Sequence, residues 1–324
     1  MNQPESPIVV TMRHMERPIA LRLGTRGSLL ARSQSNAVKR EIETRHPHVR
    51  IETLIIKTSG DQITDRPLYD DGGKGLFVKE LEQALLDRQI DFAVHSCKDM
   101  PVTQPLVDTS ELVIAAMPPR HDPHDLLICA KAPTLAALPP NSRVATGSLR
   151  RRCQLLAQRN DLNILPIRGN IDSRLRRLRN GEYDALILAL AGIQRAGLHE
   201  PTLMHPIPIS QMIPAAGQGA LALQCRKSDA KTLNLLTSMD DVDTSTCVQA
   251  ERAVIARLQG DCHSPIGALA EIADGALHLQ VAVGRAGGEL PVVFAQARAP
   301  ISQYLLAVAE VEQNLMNKGA ANWL

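Results

Sequence analysis

The chain has 324 residues, 44% of them apolar, and its 36 lysines and arginines nearly balance its 34 aspartates and glutamates. This length and composition can bury a sizeable core and suggest two or three domains. No apolar run approaches the roughly 18 residues that a membrane span needs, and aromatic residues are too scarce for the stacking platforms of single-stranded nucleic-acid binding.

Cysteine usage and the first residues indicate a compartment. Six cysteines lie at positions 97, 129, 153, 225, 247 and 262, with no CxxC pair and no histidine at zinc spacing. This argues against disulfides and a structural metal and favours a reducing cytoplasm. Residues 1–17 mix charges and prolines and lack the apolar core of a signal peptide, so they are predicted to be an N-terminal extension.

Short apolar runs alternate with helical patterns through the first two thirds of the chain. Strands are predicted at Ile19–Leu23, Val49–Lys57 and Ile90–His95, and helices at Ser28–Thr44 and Leu76–Arg88. Alternation of strands and helices is typical of an α/β domain.

After a proline-rich break at Met117–Pro123 the same alternation resumes. The predicted strands are Leu126–Cys129, Arg143–Thr146, Asn163–Ile167 and Ala185–Ala189, and the predicted helices are Leu149–Arg159 and Ile171–Arg179. An extended crossing at Pro206–Pro214 precedes Gly219–Cys225, which could return to the first unit. The pattern therefore predicts a second α/β domain.

From Val242 the order of elements changes. A long helix is predicted at Thr244–Leu258, followed by three short strands and a last helix, at Ile266–Ile272, Ala276–Val283, Pro291–Ala297 and Gln303–Asn317. This is the pattern of a small α+β domain. The predicted division is an extension at 1–17, a first α/β domain at 18–116 and 217–238, a second at 117–216, and the α+β domain at 239–324.

One stretch concentrates arginine. Between Arg143 and Arg179 lie ten arginines, no lysine and only two acids. Guanidinium binds carboxylate or phosphate through two parallel hydrogen bonds, so the stretch predicts a site for a small polyanion. Arg174, in the first turn of its helix, is assigned to this site. The later arginines of that helix are assigned to a solvated face: Arg176, Arg177 and Arg179.

Three loops that carry arginine follow predicted strands. Gly24–Ser28, Thr146–Arg151 and Arg168–Asn170 each end a strand and open a helix with a small or hydroxyl residue. Ligands of open α/β sheets bind beyond the carboxyl ends of strands, where helix N-termini hold anions on free N–H groups. One such loop could be an ordinary helix cap, but three together favour an anion site.

A fourth loop, His95–Pro101, adds an acid to this basic set. Asp99 could be a capping residue paired with Lys98, but its place just after an apolar strand favours a site role. Surrounding arginines would keep it ionised at neutral pH. At an effective dielectric near 20, a charge about 4 Å away contributes about 4 kcal/mol. We therefore expect Asp99 to stabilise a developing cation, with proton transfer as a secondary role.

Two more segments carry candidate residues. Gly72–Phe77 lacks the spacing of a phosphate loop and is interpreted as a flap that carries Lys74 and Phe77. Gly260–Pro265 places Cys262 in a loop. A free cysteine is usually a small buried apolar residue, whereas a loop between glycine and proline favours an exposed and reactive thiol. Spacing alone leaves both readings of this thiol open.

Seven motifs in register resemble the porphobilinogen deaminase family, from about Ile19 to near the C-terminus. They are Gly24–Ser28, Gly72–Glu80, Val94–Pro101, Ser148–Arg151, Arg168–Asn170, Pro214–Ala220 and Gly260–Gly267. The resemblance implies two periplasmic-binding-protein-like α/β domains around a cleft, plus a small C-terminal α+β domain that carries the cysteine.

The resemblance also implies an activity. Members of this family join four porphobilinogen molecules head to tail, with release of ammonia at each step, to give the linear tetrapyrrole hydroxymethylbilane of haem biosynthesis. The chain grows on a dipyrromethane cofactor held by a thioether to the cysteine that Cys262 matches. Asp99 matches the central catalytic acid, and it would stabilise the azafulvenium cation that loss of ammonia leaves. A cytoplasmic monomer without metal, membrane or nucleic-acid partners is expected.

Binding roles are carried over by the same match. Cofactor binding is assigned to Ser28, Lys98, Ser148, Arg150, Arg151 and Arg174. Substrate binding is assigned to Arg26, Arg168, Arg174 and Arg195, and the flap residues are Lys74 and Phe77. Each pyrrole brings two carboxylates, so a growing chain is a polyanion, in agreement with the arginine concentration. Two positions depart from the family pattern: Asp70 replaces a usual flap lysine, and Gly147 replaces a common hydroxyl residue.

Two other functions stay open from the residues alone. A non-catalytic anion receptor can use the same architecture, and it would need neither Asp99 nor a group on Cys262. Nucleic-acid binding through the arginines would show a steep salt dependence. Scarce aromatic residues and a near-neutral net charge disfavour this last function.

Overall fold

The computed structural model describes residues 19–59, 75, 77–103, 107–261, 263–320 and 323. In chain order its helices and strands are β1 (Ile19–Thr25), α1 (Leu29–Arg45), β2 (Val49–Ile55), α2 (Lys79–Leu86), β3 (Phe92–Ser96), β4 (Leu112–Ala116), β5 (Asp125–Ile128), β6 (Arg143–Ala145), α3 (Leu149–Gln158), β7 (Asn163–Leu165), α4 (Ile171–Arg179), β8 (Ala185–Ala189), α5 (Leu190–Arg195), β9 (Met204–Ile207), β10 (Leu221–Arg226), α6 (Ala230–Thr237), α7 (Val242–Arg257), β11 (Ile266–Ala273), β12 (Ala276–Arg285), β13 (Glu289–Pro300) and α8 (Tyr304–Asn317). No described helix has the length and apolar character to cross a membrane.

The first sheet is built from two separate parts of the chain. Its order is β2-β1-β3-β10-β4. β1 runs parallel to β2 and β3, while β10 inserts antiparallel between β3 and β4. Alternate side chains such as Leu23, Phe92 and Leu223 form the core beneath α1. The predicted return of the chain to its first unit is thereby confirmed.

The second sheet has the same plan. Its order is β7-β6-β8-β5-β9, with β6 parallel to β7 and β8 and with β5 antiparallel to β8 and β9. β9 includes Pro206, where the sequence predicts only an extended crossing. Pro206 is tolerated because β9 is an edge strand, which needs fewer backbone donors. Two crossings, residues 117–124 and 208–220, join the second sheet to the first.

The third sheet is the antiparallel meander β11-β12-β13. Helices α7 and α8 cover it, and side chains such as Val254, Leu279 and Val311 form its core. The structure thus confirms the expected fold class of two α/β domains plus a small α+β domain. α7 begins earlier than predicted, because Asp241 caps it by accepting a hydrogen bond from the Thr244 N–H (2.8 Å).

Helix α3, which carries two of the site arginines, packs between the second and third sheets. Leu155 belongs to the core of the second sheet. On the other side, Gly284 of β12 lies against Cys153, and a Cβ at Gly284 would stand 2.6 Å from the Cys153 sulfur. Gln154 bonds both backbone groups of Ile213 in the second crossing (2.8 and 3.0 Å). The helix is therefore enclosed on both sides.

A buried ion pair ties the C-terminal domain to both crossings. Glu251 of α7 accepts hydrogen bonds from the Arg120 guanidinium in the first crossing (2.6 Å) and from the Gly217 N–H in the second (2.6 Å). It also accepts one from the Ala270 N–H in β11 (2.8 Å). The Glu251 side chain has no exposed surface, so its charge is neutralised entirely within the protein.

Replacing Glu251 by alanine is expected to lower the free energy of unfolding by about 3–5 kcal/mol, because Arg120 would be left buried without its counter-charge. Urea unfolding followed by circular dichroism measures this change. The matched control is Glu312→Ala, which removes the half-exposed pair of Arg257 and Glu312 and should cost less than about 1 kcal/mol. Equal losses in the two variants would contradict the assignment.

Candidate active site

Several predicted site residues line one cavity of about 180 Å³ between the two α/β domains. Its lining includes Phe77, Lys98, Asp99, Ser148, Arg150 and Arg151, together with Gln218 and His263. The predicted convergence of the Asp99 loop with the arginine-bearing loop before α3 is therefore observed. Ser148 also caps α3 by accepting a hydrogen bond from the Arg151 N–H (3.4 Å).

The Asp99 loop is held on two sides. It forms a single 3₁₀ turn, Cys97–Asp99, directly after β3. On one side Gly217 lies so close that a Cβ there would stand 2.9 Å from the Cys97 sulfur. On the other side Arg252 of α7 donates to the carbonyls of Met100 (3.3 Å) and Pro101 (2.8 Å). The carboxylate is thus placed by backbone contacts of its neighbours.

Lys98 is a half-buried cation beside this carboxylate. Burial, together with the positive charge of Arg151, lowers the pKa of Lys98 to about 8, while the negative charge of Asp99 opposes this shift. Its ammonium nitrogen lies 3.4 Å from the amide oxygen of Gln218. The charge of Lys98 is therefore disfavoured by burial and by the neighbouring arginine and favoured by Asp99.

The arginines of α3 are organised by an acid that sequence reasoning missed. Asp125, at the start of β5, has no exposed surface. It accepts hydrogen bonds from Arg150 (2.6 Å) and from Arg151 (2.7 and 3.0 Å). Burial raises the pKa of Asp125, but the attraction of the two arginines outweighs burial and holds that pKa well below its usual range. The sequence feature that could have identified Asp125 is an acid at the first position of an apolar strand.

The Asp125 cluster fits an acidic ligand. Two guanidinium groups share one carboxylate, so the cluster keeps a net positive charge. The buried Nε of Arg150 has no hydrogen-bond partner among the described residues. A buried N–H is normally paired, so this atom is suited to an acceptor brought by a ligand. Arg150 and Arg151 were predicted as cofactor ligands; the structure shows that most of their donors already bond within the protein.

Other predicted residues surround the cavity without belonging to its described lining. Arg174 donates to the Gly169 carbonyl (2.7 Å), and burial, Arg151 and Arg168 lower the pKa of Arg174 to about 10, while Asp99 opposes this. Arg26 stacks on the Phe77 ring at 4.0 Å from its centroid. These contacts place Arg26 and Arg174 beside the cavity.

Two predicted residues make contacts at the edges of the domains. Ser28 caps α1 by accepting a hydrogen bond from the Ala31 N–H (3.3 Å). Arg195 donates to the Gly219 carbonyl in the second crossing (2.8 Å), and burial lowers the pKa of Arg195 to about 10. The Arg195 carbonyl also accepts a hydrogen bond from Ser33 of α1, which joins the two α/β domains.

The loop that contains Cys262 borders the same site. Cys262 lies outside the described residues, as do Lys74, Asp70 and the predicted extension at 1–17. His263 lines the large cavity, while Asp261 and Ser264 line a smaller one of about 40 Å³ that shares Lys98 and Arg150 with it. Asp261 accepts hydrogen bonds from the N–H groups of His263 (2.8 Å) and Ser264 (3.0 Å).

In the described part of the chain, no three histidines, cysteines or acids are grouped so that they could hold a metal ion.

The later arginines of α4 lie on a solvated face, as the sequence predicts. Arg179 pairs with Glu200 (2.5 Å), and Arg177 pairs with Glu182 (2.7 Å) and lies over the Tyr183 ring. These two arginines of α4 are used in contacts away from the cavity.

Comparisons with family models and with curated proteins point to one family. Residues 21–234 match the family model "Porphobilinogen deaminase, dipyromethane cofactor binding domain", and residues 245–300 match "Porphobilinogen deaminase, C-terminal domain". The chain is 41% identical over 302 residues to porphobilinogen deaminase of Syntrophotalea carbinolica, which covers 93% of this chain and 94% of that protein. It is 45% identical over 271 residues to that of Sorangium cellulosum, covering 84% and 89%.

Solved structures give a much weaker likeness. A probable amino-acid ABC transporter extracellular-binding protein from Bacillus subtilis aligns with a TM-score of 0.41 and 11% identity, over 69% of this chain and 90% of that chain. The periplasmic aliphatic sulphonate binding protein of Escherichia coli aligns with a TM-score of 0.39 and 16% identity, over 75% and 71%.

Proposed function

The chain belongs to the porphobilinogen deaminase family, and we propose that it acts as a hydroxymethylbilane synthase of tetrapyrrole (haem) biosynthesis. Such a transferase joins four porphobilinogen molecules head to tail, with release of ammonia at each step. The observation that carries the proposal is a single cavity that gathers Asp99, Lys98 and a pair of arginines next to the Cys262 loop.

The proposed cofactor is a dipyrromethane attached through a thioether to Cys262. When bound, it supplies the nucleophilic pyrrole carbon on which the chain of substrate units starts. The side chains proposed to hold its carboxylates are Ser28, Lys98, Ser148, Arg150, Arg151 and Arg174. The unpartnered Nε of Arg150 and the net positive charge of the Asp125 cluster support this fit.

Asp99 is proposed as the catalytic residue. Loss of ammonia from porphobilinogen leaves a cation on the substrate, and a carboxylate in the lining of the cavity stabilises that charge as it develops. The Asp99 loop is fixed by Gly217 and Arg252, so the carboxylate needs little reorganisation during the reaction. The neighbouring cations bind the substrate carboxylates and leave the carboxylate of Asp99 for the reacting centre.

Substrate binding is proposed for Arg26, Arg168, Arg174 and Arg195, and flap duty for Lys74 and Phe77. Arg26 stacks on Phe77, which lines the cavity, and this contact supports a substrate role for Arg26 and a flap role for Phe77. Charge-assisted hydrogen bonds contribute roughly 1.5–3 kcal/mol each, so several arginines can retain an acidic chain between additions. Asp70 replaces a usual flap cation, which is expected to weaken substrate attraction.

The domain division is proposed as residues 1–17, 18–116 with 217–238, 117–216 and 239–324. The two crossings lie close to these boundaries, which supports the division. We also propose a cytoplasmic monomer. Five described cysteines, at positions 97, 129, 153, 225 and 247, are free and buried, in keeping with a reducing compartment.

Incubating the purified chain with porphobilinogen tests the function. Four molecules of substrate are expected to disappear, and four of ammonia to appear, for each linear tetrapyrrole that mass spectrometry detects. An anion receptor with the same cavity would bind porphobilinogen but release no ammonia. Saturable binding without ammonia would therefore replace the proposed enzyme with a receptor.

A further inference from the structure

Gln218 lies in the second crossing, between the two α/β domains, and it is only 1% exposed. Its amide nitrogen donates to the Asp125 carboxylate (3.0 Å) and to the Pro123 carbonyl (2.7 Å). Its amide oxygen accepts a longer hydrogen bond from the Lys98 ammonium (3.4 Å). The side chain thus connects the loop of Asp99 in the first α/β domain with the arginine cluster in the second.

An amide suits this position because it has two N–H donors and an oxygen acceptor, and all three contacts use them. A glutamate of the same length would lose both donors and place a second carboxylate against Asp125. A methionine of similar volume would lose the donors and the acceptor. The contacts therefore require the chemistry of Gln218, beyond its size.

The backbone of Gln218 is held as firmly as its side chain. Its carbonyl accepts a hydrogen bond from the Arg120 Nε (2.8 Å), and the preceding N–H, of Gly217, donates to Glu251 (2.6 Å). Arg120 and Glu251 are themselves paired and buried. Gln218 is therefore anchored through its backbone to the C-terminal domain and through its side chain to both α/β domains.

We propose that Gln218 is a positioning residue that fixes Lys98 of the first α/β domain against Asp125 of the second. Through Asp125 it also sets the orientation of Arg150 and Arg151. Lys98 and the two arginines are then placed to bind the same carboxylates of the cofactor and the growing chain. This inference rests on the proposed function, in which these cations hold the cofactor and the growing chain, and it assigns Gln218 no contact with the reacting atoms.

The charges around Lys98 make this role measurable. Arg150 and Arg151 of α3 face it from the second domain, Asp125 faces it from β5, and Asp99 follows it in the chain. His263 and Arg252 border the adjoining cavities. An amide oxygen favours the protonated form of an adjacent lysine. Removing that oxygen should therefore lower the pKa of Lys98, and replacing it with a carboxylate should raise the pKa.

The test compares Gln218→Met and Gln218→Glu with the parent chain and with Gln194→Met, an exposed glutamine of α5. Titration of ¹³C-methylated lysines by NMR, with the Lys98 signal identified by its loss in Lys98→Arg, reports the protonation of Lys98. We expect a lower titration midpoint in the methionine variant and a higher one in the glutamate variant. For the methionine variant, the KM for porphobilinogen should rise about tenfold while kcat, expressed per chain that carries the covalent group, changes little, which is the signature of lost binding.

Other outcomes overturn the inference. Unchanged Lys98 titration in both variants, or a fall in kcat with an unchanged KM, would leave Gln218 with a structural role only. Failure of both variants to fold, judged by circular dichroism, would have the same meaning. The Lys98 titration does not depend on turnover. A parent chain that releases no ammonia would therefore refute the proposed function while the titration still decides this inference.

Discussion

Replacing Asp99 by asparagine is expected to lower turnover by about a thousandfold while the fold and the group on Cys262 remain. Asparagine keeps the shape of the side chain and one acceptor oxygen but removes its charge. At an effective dielectric near 20, a charge about 4 Å from a developing cation contributes about 4 kcal/mol, which corresponds to roughly three decades of rate. Ammonia release measures the rate, and intact mass measures the covalent group.

Asp108→Asn is the matched control for this prediction. Asp108 lies in the same domain, is exposed, and accepts a hydrogen bond from the Ser110 N–H (2.9 Å). It should keep the parental rate, because its carboxylate faces solvent. Ammonia release by Asp99→Asn at the rate of Asp108→Asn would remove Asp99 from the mechanism.

The purified chain is expected to exceed its sequence mass by a two-pyrrole group, and Cys262→Ser is expected to lack that excess and all turnover. A serine hydroxyl is far less nucleophilic than a thiolate at neutral pH, so it cannot form the corresponding linkage readily. Intact-mass spectrometry of both proteins distinguishes these states directly. The described neighbours of Cys262 border the cavity of Asp99, which supports attachment at this cysteine.

Cys247→Ser controls for the loss of a thiol in the same domain. Cys247 lies on α7 and is buried, and burial raises the pKa of its thiol to about 12, so it is an inert group. This variant should retain the excess mass. A parent chain that turns over porphobilinogen at its sequence mass would contradict the attachment, as would an unchanged excess in Cys262→Ser.

The architecture could be predicted from the sequence wherever local pattern decides the outcome. Runs such as Phe92–Ser96 are buried on both faces of their sheet, so a few consecutive residues are enough to predict the strand. The return of β10 to the first sheet followed from one such run. Helix starts depend on more than the local apolar pattern. α2 begins at Lys79, after Gly75 adopts a positive φ of 69°, and not at the predicted Leu76.

The interior of the site could not be predicted in the same way. Asp125 and Arg150 are 25 residues apart, and Gln218 reaches Asp125 across 93 residues. Nothing in the neighbouring residues marks such partners, because only the folded chain brings them together. The arginine concentration predicted an anion site, but it did not reveal that two of those arginines need a buried acid to hold them. Arg252 was missed because a single arginine on an amphipathic helix has no distinctive pattern.

The enclosure of helix α3 has a consequence for mutational tolerance. Its outer side rests on Gly284, where any added carbon would collide with Cys153, and its inner side rests on the core of the second sheet. A replacement at Gly284 is therefore expected to displace Cys153 and, with it, the turn of α3 that carries Arg150. A saturation scan scored for tetrapyrrole output should consequently show an intolerant position at Gly284, which is not part of the described cavity lining but whose loss would mimic an active-site lesion.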